Sequence, residues 1–428
     1  MLDSAIGDKP KFDVSIILIY LALVLMGWVS IYSAAPVESH GSIFDINEVY
    51  GKQFLRIILA IIMIVVIFAI EVKFFERFAG VIYVISLISL LGLFVFGVEI
   101  SGARSWYGFG GLRLQPSEFA KFATALALAK YLSQLDVSVK EVKHFLIVAL
   151  IVLLPAILIV PQPDPGSALI YVAFFFALHR EGLSVWFLML GLIGLTVFLG
   201  TILVGPWWIV GASVVVVAVL FSLSRKRYKK RLSKKPKISL YLLAMIACIG
   251  LAFAVGPIYE NVFSERHRNR IDIVLGRVED SQGIQYNIIQ SEIAIGSGGI
   301  TGKGLLKGTQ TQGQFVPEQH TDFIFSAIGE EFGLLGAGLV VILFMLLIYR
   351  LIIMAERQRN QFARIYGYSA AGIFFLHFFV NVGMVLGLLP TVGIPLPFLS
   401  YGGSSLWGFT LLLFIFVKLD AHRMSYQH

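Results

Sequence analysis

A pair of adjacent acids, Glu279 and Asp280, stands in the stretch VEDSQGIQYN, inside a polar segment that covers residues 258–320 of an otherwise mostly apolar chain. Arginines are concentrated just upstream, at positions 266, 268, 270 and 277. A carboxylate can exchange a proton with a substrate, and guanidinium groups can hold an anion. The segment is therefore a candidate site for chemistry on an anionic substrate.

The polar segment continues into the glycine-rich stretch IGSGGITGKGLLKGTQTQ, which contains Lys303 and Lys307. Closely approached backbone amides and ammonium groups suit phosphate oxygens, so this stretch is a candidate anion cradle. Its spacing does not match a Walker A loop, and a flexible surface loop is the alternative. The nearby arginines favour the anion-binding interpretation.

His320, Thr321 and Asp322 follow in PEQHTDFIF, where two interpretations are open. Histidine and aspartate are metal ligands, but threonine and aspartate are also ordinary residues at the start of a helix. Two further acids, Glu330 and Glu331, lie in IGEEFG within the helix predicted there. At least one of them must find a partner or a wet cavity.

A second group of charged residues begins a predicted spanning helix in GLRLQPSEFAKFA. The helix opens at Pro116, and Glu118 and Lys121 stand three residues apart on one face of it. Charges in a spanning helix form either a self-satisfied ion pair or a functional group in a polar cavity, and the second interpretation is favoured. Arg113, just outside the helix, is a candidate phosphate ligand.

Two stretches rich in proline adjoin other predicted helices. Asp164 lies between two prolines in PQPDPGSALI and is either a helix N-cap or a residue that organises the site or a metal. Residues 386–405, LGLLPTVGIPLPFLSYGGSS, have three prolines and four glycines that interrupt the helical pattern before the last apolar run. Such irregular backbone is expected to be buried in protein or to line a cavity.

Long apolar runs supply the elements that must position these residues. Of the 428 residues, 57% are hydrophobic, and the mean hydropathy is +0.84, far above that of a soluble protein. The composition predicts an all-α polytopic membrane protein with about twelve transmembrane helices. The first run lacks a signal-peptide cleavage pattern and is expected to be a retained helix. The lone Cys248 excludes an intramolecular disulfide and a cysteine-based metal site. The expected spans lie near residues 14–33, 54–71, 78–98, 115–133, 143–161, 166–179, 183–203, 206–224, 239–257, 321–349, 364–389 and 398–418.

The distribution of charge predicts the orientation of these spans. The largest concentration of the net charge of +8 is the basic loop 225–237, which is expected to flank the membrane in the cytoplasm and not to bind nucleic acid. With the N-terminus inside, the basic loop around 357–364 and the C-terminus fall on the same side. Segments 34–53, 99–114 and 258–320 then lie outside, so the chemically unusual stretches share one side of the membrane.

Five motifs, in this order, resemble the SEDS family (shape, elongation, division and sporulation): LRLQPSEFAKFA, PQPDPGSA, YNIIQSEIAIGSGGITGKGLLKGTQTQ, FVPEQHTDFIFSAIGEEFG and NVGMVLGLLPTVGIPLPFLSYGGSS. The resemblance covers about residues 14–203 and 258–418. GTQTQ before PEQHTDFIF, and TVGIPLPFLSYGG without the lysine usual in division members, are similar to the elongation members. Family members usually have ten spans, so the pair within 206–257 resembles an inserted transmembrane hairpin with a basic cytoplasmic loop.

The resemblance implies a single integral membrane domain, residues 1–428, in the bacterial cytoplasmic (inner) membrane. Such proteins polymerise lipid II into peptidoglycan on the outer face, together with a class B penicillin-binding protein. The family's essential acidic residue falls on Asp280, in the large extracytoplasmic loop 258–320. The family's proline after this aspartate is Ser281 here, and the leucine common after the QPD aspartate is Pro165, so the local backbone is expected to differ at both acids.

The implied reaction gives the polar residues roles. Making a β-1,4 bond from an α-linked lipid diphosphate inverts C1 of the donor sugar, which the acceptor 4-hydroxyl attacks. Asp280 is predicted as the general base that accepts the hydroxyl proton, with Glu279 tuning the site. Cations must meet the leaving diphosphate. The candidate substrate-binding residues are Arg113, Glu118, Lys121, Asp164, Arg266, Arg270, Lys303, Lys307, His320 and Ser404, with Tyr401 beside Ser404 along the lipid path.

The same chemistry indicates cofactors and partners. A divalent cation, Mg²⁺ or Mn²⁺, is a candidate cofactor, and no organic cofactor is expected. Expected partners are lipid II, undecaprenyl-diphosphate-linked glycan, the penicillin-binding protein and membrane lipids. The alternative function is a lipid-linked oligosaccharide transporter, or flippase, because broken helices and intramembrane charges also mark transport pathways. Transport predicts decisive charges near the middle of the membrane, whereas Asp280 is expected in an external loop.

Overall fold

The computed structural model describes residues 12–36, 42–100, 102–109, 112–229, 238–261, 263, 265–278 and 283–423. Its helices, in chain order, are α1 (Val14–Ser33), α2 (Val49–Ala69), α3 (Val72–Phe96), α4 (Pro116–Leu132), α5 (Val142–Ile159), α6 (Pro165–Leu169), α7 (Phe174–Arg180), α8 (Trp186–Val204), α9 (Pro206–Lys229), α10 (Ile238–Asn261), α11 (Glu265–Val274), α12 (Ile284–Gly298), α13 (Thr309–Gln312), α14 (Ile324–Glu356), α15 (Gln361–Val385) and α16 (Gly403–Ala421). A 3₁₀ turn, Ile170–Ala173, joins α6 to α7. Three short strands lie between α3 and α4: β1 (Val98–Ile100), β2 (Ala103–Phe109) and β3 (Leu112–Leu114).

Ten helices within these ranges are long and apolar enough to cross a membrane, which confirms the all-α polytopic membrane class. They are α1, α2, α3, α5, α8, α9, α10, α14, α15 and α16. The predicted span 115–133 corresponds to α4, which has 17 residues and carries charged side chains. The predicted span 166–179 is divided into α6, the 3₁₀ turn and α7. A total of twelve spans therefore stays a prediction.

Helices α4, α15 and α16 form the most buried part of the first compact unit. In the apolar stretches of α15 and α16, 72% and 83% of the residues are buried, so protein and not lipid surrounds these two helices. α4 packs against both of them and against α3, and its alanines allow close approach. In α9, by contrast, no residue of the apolar stretch Pro206–Lys226 is buried.

A small antiparallel sheet occupies most of the predicted external loop 99–114. β2 pairs with β1, placing Val98 opposite Trp106, and with β3, placing Gly108 opposite Arg113. The valine and aromatic residues there are typical of strands, but the sequence analysis did not predict the sheet. Because β3 is separated from α4 by one residue, the sheet fixes how the chain enters α4.

The chain between α15 and α16 is irregular; Leu386 and Leu388 at its start are 37% and 73% exposed, whereas the part after Gly393 is largely buried. Ile394 and Leu399 are 1% and 0% exposed. Asn381 Nδ2 donates to the Ile394 carbonyl at 2.7 Å, and α1 comes so close that a Cβ on Gly27 would lie 2.6 Å from Leu399 Cα. The expectation that this irregular backbone is buried in protein or lines a cavity therefore holds for residues 394–400, where the backbone is enclosed by protein.

The described residues divide into two compact units, one within Met1–Leu183 and Asp280–His428 and the other within Ser184–Glu279. The second unit contains α8, α9, α10 and α11. Tyr259 belongs to its small apolar core and donates a hydrogen bond to the Arg268 carbonyl at 3.0 Å. α9 and α10 pack against each other, and the inserted transmembrane hairpin expected within 206–257 stays a prediction.

Ion pairs between buried aspartates and half-buried arginines join the ends of α1, α14 and α16. Arg350 Nη2 lies 2.8 Å from Asp13 Oδ2, and Arg357 contacts both Asp13 and Asp420. Burial alone would raise the pKa of Asp13, but the two guanidinium groups outweigh it and hold that pKa below its usual value. Asp420 is 0% exposed and accepts a further hydrogen bond from Gln358 Nε2 at 2.6 Å.

We expect Asp420→Asn to lower the free energy of unfolding by about 3 kcal/mol, because it leaves the Arg357 charge with only Asp13 as a partner. Glu356→Gln is the matched control, since the Arg180–Glu356 pair is 42% and 46% exposed. Loss of that exposed pair is expected to cost less than about 1 kcal/mol. Thermal unfolding of the purified variants in detergent measures the difference, and equal shifts in melting temperature would contradict it.

Candidate active site

Glu118 and Lys121 form a buried ion pair at the beginning of α4. Pro116 occupies the first turn, and the Lys121 ammonium lies 2.8 Å from Glu118 Oε2, with both side chains 2% exposed. Lys121 Nζ is also 2.9 Å from His377 Nε2 on α15. Because an ammonium only donates, Nε2 must accept, and the ring proton is on Nδ1, which donates to the Pro395 carbonyl at 3.2 Å. The ion-pair interpretation describes these two charges better than an open polar cavity does.

Asp164 caps α6 and connects it to the chain before α4. Its Oδ1 accepts from the Ser167 amide at 3.1 Å, as the N-cap interpretation predicts. Its Oδ2 accepts from Gln115 Nε2 at 3.0 Å. Asp164 therefore links its own motif, PQPDPGSALI, to GLRLQPSEFAKFA, which contains Gln115.

Ser404 joins the start of α16 to the chain just before α4. Its Oγ accepts from the Gln115 amide at 2.9 Å and donates to the Arg113 carbonyl at 3.1 Å. The Arg113 side chain is exposed. Five predicted site residues thus meet around the N-terminal end of α4, and we call them the α4 cluster: Arg113, Glu118, Lys121, Asp164 and Ser404.

The glycine-rich segment folds around Glu330 of α14. Glu330 is 0% exposed, and its Oε1 lies 2.7 Å from Lys303 Nζ and accepts from the Gln310 amide at 2.9 Å. Its Oε2 accepts from the Thr311 amide at 2.8 Å and from the Thr311 hydroxyl at 2.7 Å. Glu331 accepts from Ser33 and from the Leu306 amide, so both acids of IGEEFG have partners, whereas the sequence required a partner or a wet cavity for at least one of them.

The amides and ammonium group of this segment contact anions, but these anions are the Glu330 and Glu331 carboxylates of the chain itself. Lys303 is paired with Glu330 and is not a free cation, whereas Lys307 is exposed. Substrate phosphate binding by this segment stays a prediction. The sequence signal for the internal role was the pair of acids in IGEEFG, whose partners could not be identified from spacing.

His320 lies in the segment between the glycine-rich stretch and α14. Its ring contacts that of Tyr401 edge-on, with centroids 5.6 Å apart, and its carbonyl accepts from the Tyr401 amide at 2.8 Å. The Arg56 guanidinium covers the Tyr401 ring, 4.1 Å from its centroid. Burial holds the pKa of His320 below its usual value against the opposing charge of Glu318, so the ring is neutral at pH 7.

The remaining predicted site residues are placed differently. Glu279, Asp280 and Ser281 lie outside the described residues, as does the Arg266 side chain. Arg270 is on α11 in the second unit. Among the described residues, no group of three or more His, Cys, Asp or Glu side chains could hold a metal ion.

Comparison with known proteins identifies the family. The profile of the cell cycle protein family FtsW/RodA/SpoVE matches residues 13–425. The chain belongs to this family. It is the SEDS family that the motifs resembled, so that prediction is confirmed.

Relatives in this family align over nearly the whole chain. Peptidoglycan glycosyltransferase MrdB of Escherichia coli K12 is 33% identical over 417 residues, covering 97% of this chain and 95% of the relative. Peptidoglycan glycosyltransferase RodA of Treponema pallidum is 31% identical over 442 residues, covering 98% and 100%. These names support the elongation branch of the SEDS family.

Solved structures show the same fold. A chain of a peptidoglycan synthase complex that coordinates polymerization and crosslinking is 26% identical, with a TM-score of 0.70 over 97% of this chain and 99% of that one. The rod shape determining protein RodA of Thermus thermophilus is 23% identical, with a TM-score of 0.60 over 97% and 98%.

We expect Glu330→Gln to loosen the glycine-rich segment, because the substitution removes the charge that Lys303 and the amides of Gln310 and Thr311 contact. Each hydrogen bond to a charged group contributes roughly 1.5–3 kcal/mol, so amide exchange in residues 303–312 should accelerate about tenfold or more. Hydrogen–deuterium exchange with mass spectrometry measures this rate.

Glu318→Gln is the matched control for this experiment, because Glu318 is an exposed acid of the neighbouring segment. Its exchange pattern in residues 303–312 should equal that of the wild type. Unchanged exchange in Glu330→Gln would show that the carboxylate does not hold the segment.

Proposed function

We infer that this chain is a peptidoglycan glycosyltransferase of the SEDS family that acts in cell elongation. The observation that carries this conclusion is the 33% identity, over 97% of the chain, to a relative named peptidoglycan glycosyltransferase MrdB. The motif residues that meet in the α4 cluster support it, because they come from three distant parts of the sequence and converge at one place.

The proposed reaction joins two lipid-linked saccharides of lipid II. The acceptor 4-hydroxyl transfers its proton to Asp280, the O4–C1 bond forms with inversion, and the bond from C1 to the diphosphate oxygen breaks. Undecaprenyl diphosphate leaves as the anion. Asp280 is placed in this role by the family resemblance of its motif.

The candidate cationic ligands of the leaving diphosphate differ in the exposure of their side chains and in whether another residue already pairs with their charge. Lys121 is buried, and Glu118 and His377 surround its ammonium, so its proposed role is to position α4 against α15. Arg113 and Lys307 have exposed side chains and can reach a phosphate. A fixed cation at a developing anion can lower the barrier by roughly 2–4 kcal/mol. No step is assigned to a divalent cation, because the described residues offer no cluster that fits one.

The proposal includes a location and a partner. The ten apolar helices belong to a multi-pass membrane protein, and we place it in the bacterial cytoplasmic membrane with its active site on the outer face. The similar chain in a complex that coordinates polymerization and crosslinking supports a class B penicillin-binding protein as the partner.

We expect Asp280→Asn to reduce polymerisation of labelled lipid II by about 10²- to 10⁴-fold, the usual contribution of a general base. The assay uses the purified full-length protein with its penicillin-binding partner and resolves glycan chains on gels. Glu279→Gln is the matched control and should keep most of the wild-type rate.

Equal polymerisation by wild type and Asp280→Asn would disprove the base assignment. Movement of lipid II across vesicle membranes by a wild-type protein that forms no glycan would instead support the flippase alternative.

A further inference from the structure

A cavity of about 420 Å³ lies where the C-terminal end of α2, the start of α3 and the C-terminal end of α16 meet. All three helices are long and apolar enough to cross a membrane, and the orientation predicted from charge places these ends on the cytoplasmic side. Lys418 in the wall of the cavity is about 21 Å along α16 from Ser404 of the α4 cluster. The cavity is therefore separate from the candidate active site.

Lys418 brings an uncompensated positive charge to the wall of this cavity. It is 4% exposed, and its ammonium donates to the carbonyl of Phe68 at 2.7 Å and to that of Ile70. Carbonyl groups carry only partial charges, and among the described residues no carboxylate pairs with Lys418. A buried charge without a counter-charge is costly, so Lys418 favours an anion in the adjoining cavity.

The start of α3 is a second source of positive potential at the cavity. This helix has 25 residues, and its N-cap residue, Glu71, makes no side-chain hydrogen bond to the first turn. The amides at the N-terminus of a helix attract anions. Lys73, the second residue of α3, also lines the cavity, and its side chain is exposed and has no ion-pair partner among the described residues. Its ammonium can therefore contact an anion directly.

The other charged or titratable groups of the wall are Glu71 and His422. Glu71 opposes an anion, but its side chain is exposed, so water screens its charge more than that of the buried Lys418. With His422 neutral, two lysines and one glutamate give the described wall a net charge of +1. His422 Nδ1 donates to the Lys418 carbonyl at 3.1 Å, which leaves Nε2 as an acceptor without a partner among the described residues.

Exposed apolar side chains next to the cavity favour a lipid over a soluble anion. Val66, in the last turn of α2, and Phe74, in the first turn of α3, are 50% and 39% exposed. In a bilayer, side chains at such positions contact acyl chains just below the headgroups. Anionic lipids give the cytoplasmic leaflet a negative surface potential, and basic pockets between transmembrane helices on that side bind their headgroups.

We propose that this cavity binds the phosphate of an anionic phospholipid. Lys73 contacts the phosphate, the buried charge of Lys418 attracts it, and His422 Nε2 accepts a hydrogen bond from a headgroup hydroxyl. Phosphatidylglycerol offers this combination of a negative phosphate and free hydroxyl groups. A lipid bound here would contact α3 and α16 together, so its binding should stabilise the folded protein.

The test uses the purified full-length protein, and native mass spectrometry counts the lipids that stay bound. Phosphatidylglycerol is the probe, and phosphatidylcholine, whose headgroup has no net charge, is the comparison lipid. The wild type should retain phosphatidylglycerol in preference, and Lys73→Gln should weaken this binding about fivefold. Lys73→Arg keeps the charge and should retain the lipid. Lys143→Gln is the matched control, because Lys143 is likewise the exposed second residue of a spanning helix, α5, and does not line the cavity.

Thermal unfolding provides an independent readout of the same binding. Phosphatidylglycerol should raise the melting temperature of the wild type and of Lys143→Gln more than that of Lys73→Gln. Equal melting temperatures without added lipid verify that the variants are folded.

Glycerol 1-phosphate is the soluble competitor and should not displace the lipid. Its displacement of phosphatidylglycerol would assign the cavity to a soluble phosphate and overturn the lipid site. Equal retention of phosphatidylcholine, unchanged binding in Lys73→Gln, or equal weakening in Lys73→Gln and Lys143→Gln would also overturn it.

Discussion

A charge removed from water needs a partner, and in the first compact unit this requirement determines where distant segments meet. Lys121 brings α4 to α15, and Glu330 holds the glycine-rich segment on α14. Arg357 ties the end of α14 to Asp13 and Asp420. Each of these contacts fixes the position of one helix or segment relative to another. Apolar side chains alone would not fix it, because in lipid they have little preference among apolar neighbours.

The irregular chain between α15 and α16 shows the same requirement for its backbone carbonyl groups, which also need hydrogen-bond partners. Its carbonyls accept from Asn381 and His377, and Ser400 Oγ donates to the Thr321 carbonyl at 2.7 Å. At its end, Ser404 reaches the chain before α4. This one segment thus contacts α15, the chain that leads into α14 and the chain that leads into α4, so it sets the spacing between the α4 cluster and His320.

Local sequence patterns predicted the helices of this structure better than they predicted the contacts between residues distant in sequence. The long helices follow from apolar runs, which depend only on neighbours in sequence. The break after Asp164 and the strands at 98–114 were missed, because a short apolar run does not distinguish one helix from several pieces or from strands. The partnership of Lys121 with His377 spans 256 positions and has no local signature. The glycine-rich segment contacts carboxylates of the chain itself, and the sequence pattern could not distinguish such a carboxylate from a substrate phosphate.

The contrast in burial between α9 and α16 bears on how this chain can diverge over evolutionary time. No residue in the apolar stretch of α9 is buried, although Trp207 contacts the Phe253 ring and Phe221 contacts the Tyr241 ring of α10. Most exchanges among leucine, valine, isoleucine and phenylalanine in this stretch therefore disturb few packed neighbours. In α16, 83% of the corresponding residues touch protein closely, and an added methylene there would disturb several neighbours at once. Sequence drift should therefore be fast along α9 and slow along α16, although both helices are long and apolar enough to cross a membrane.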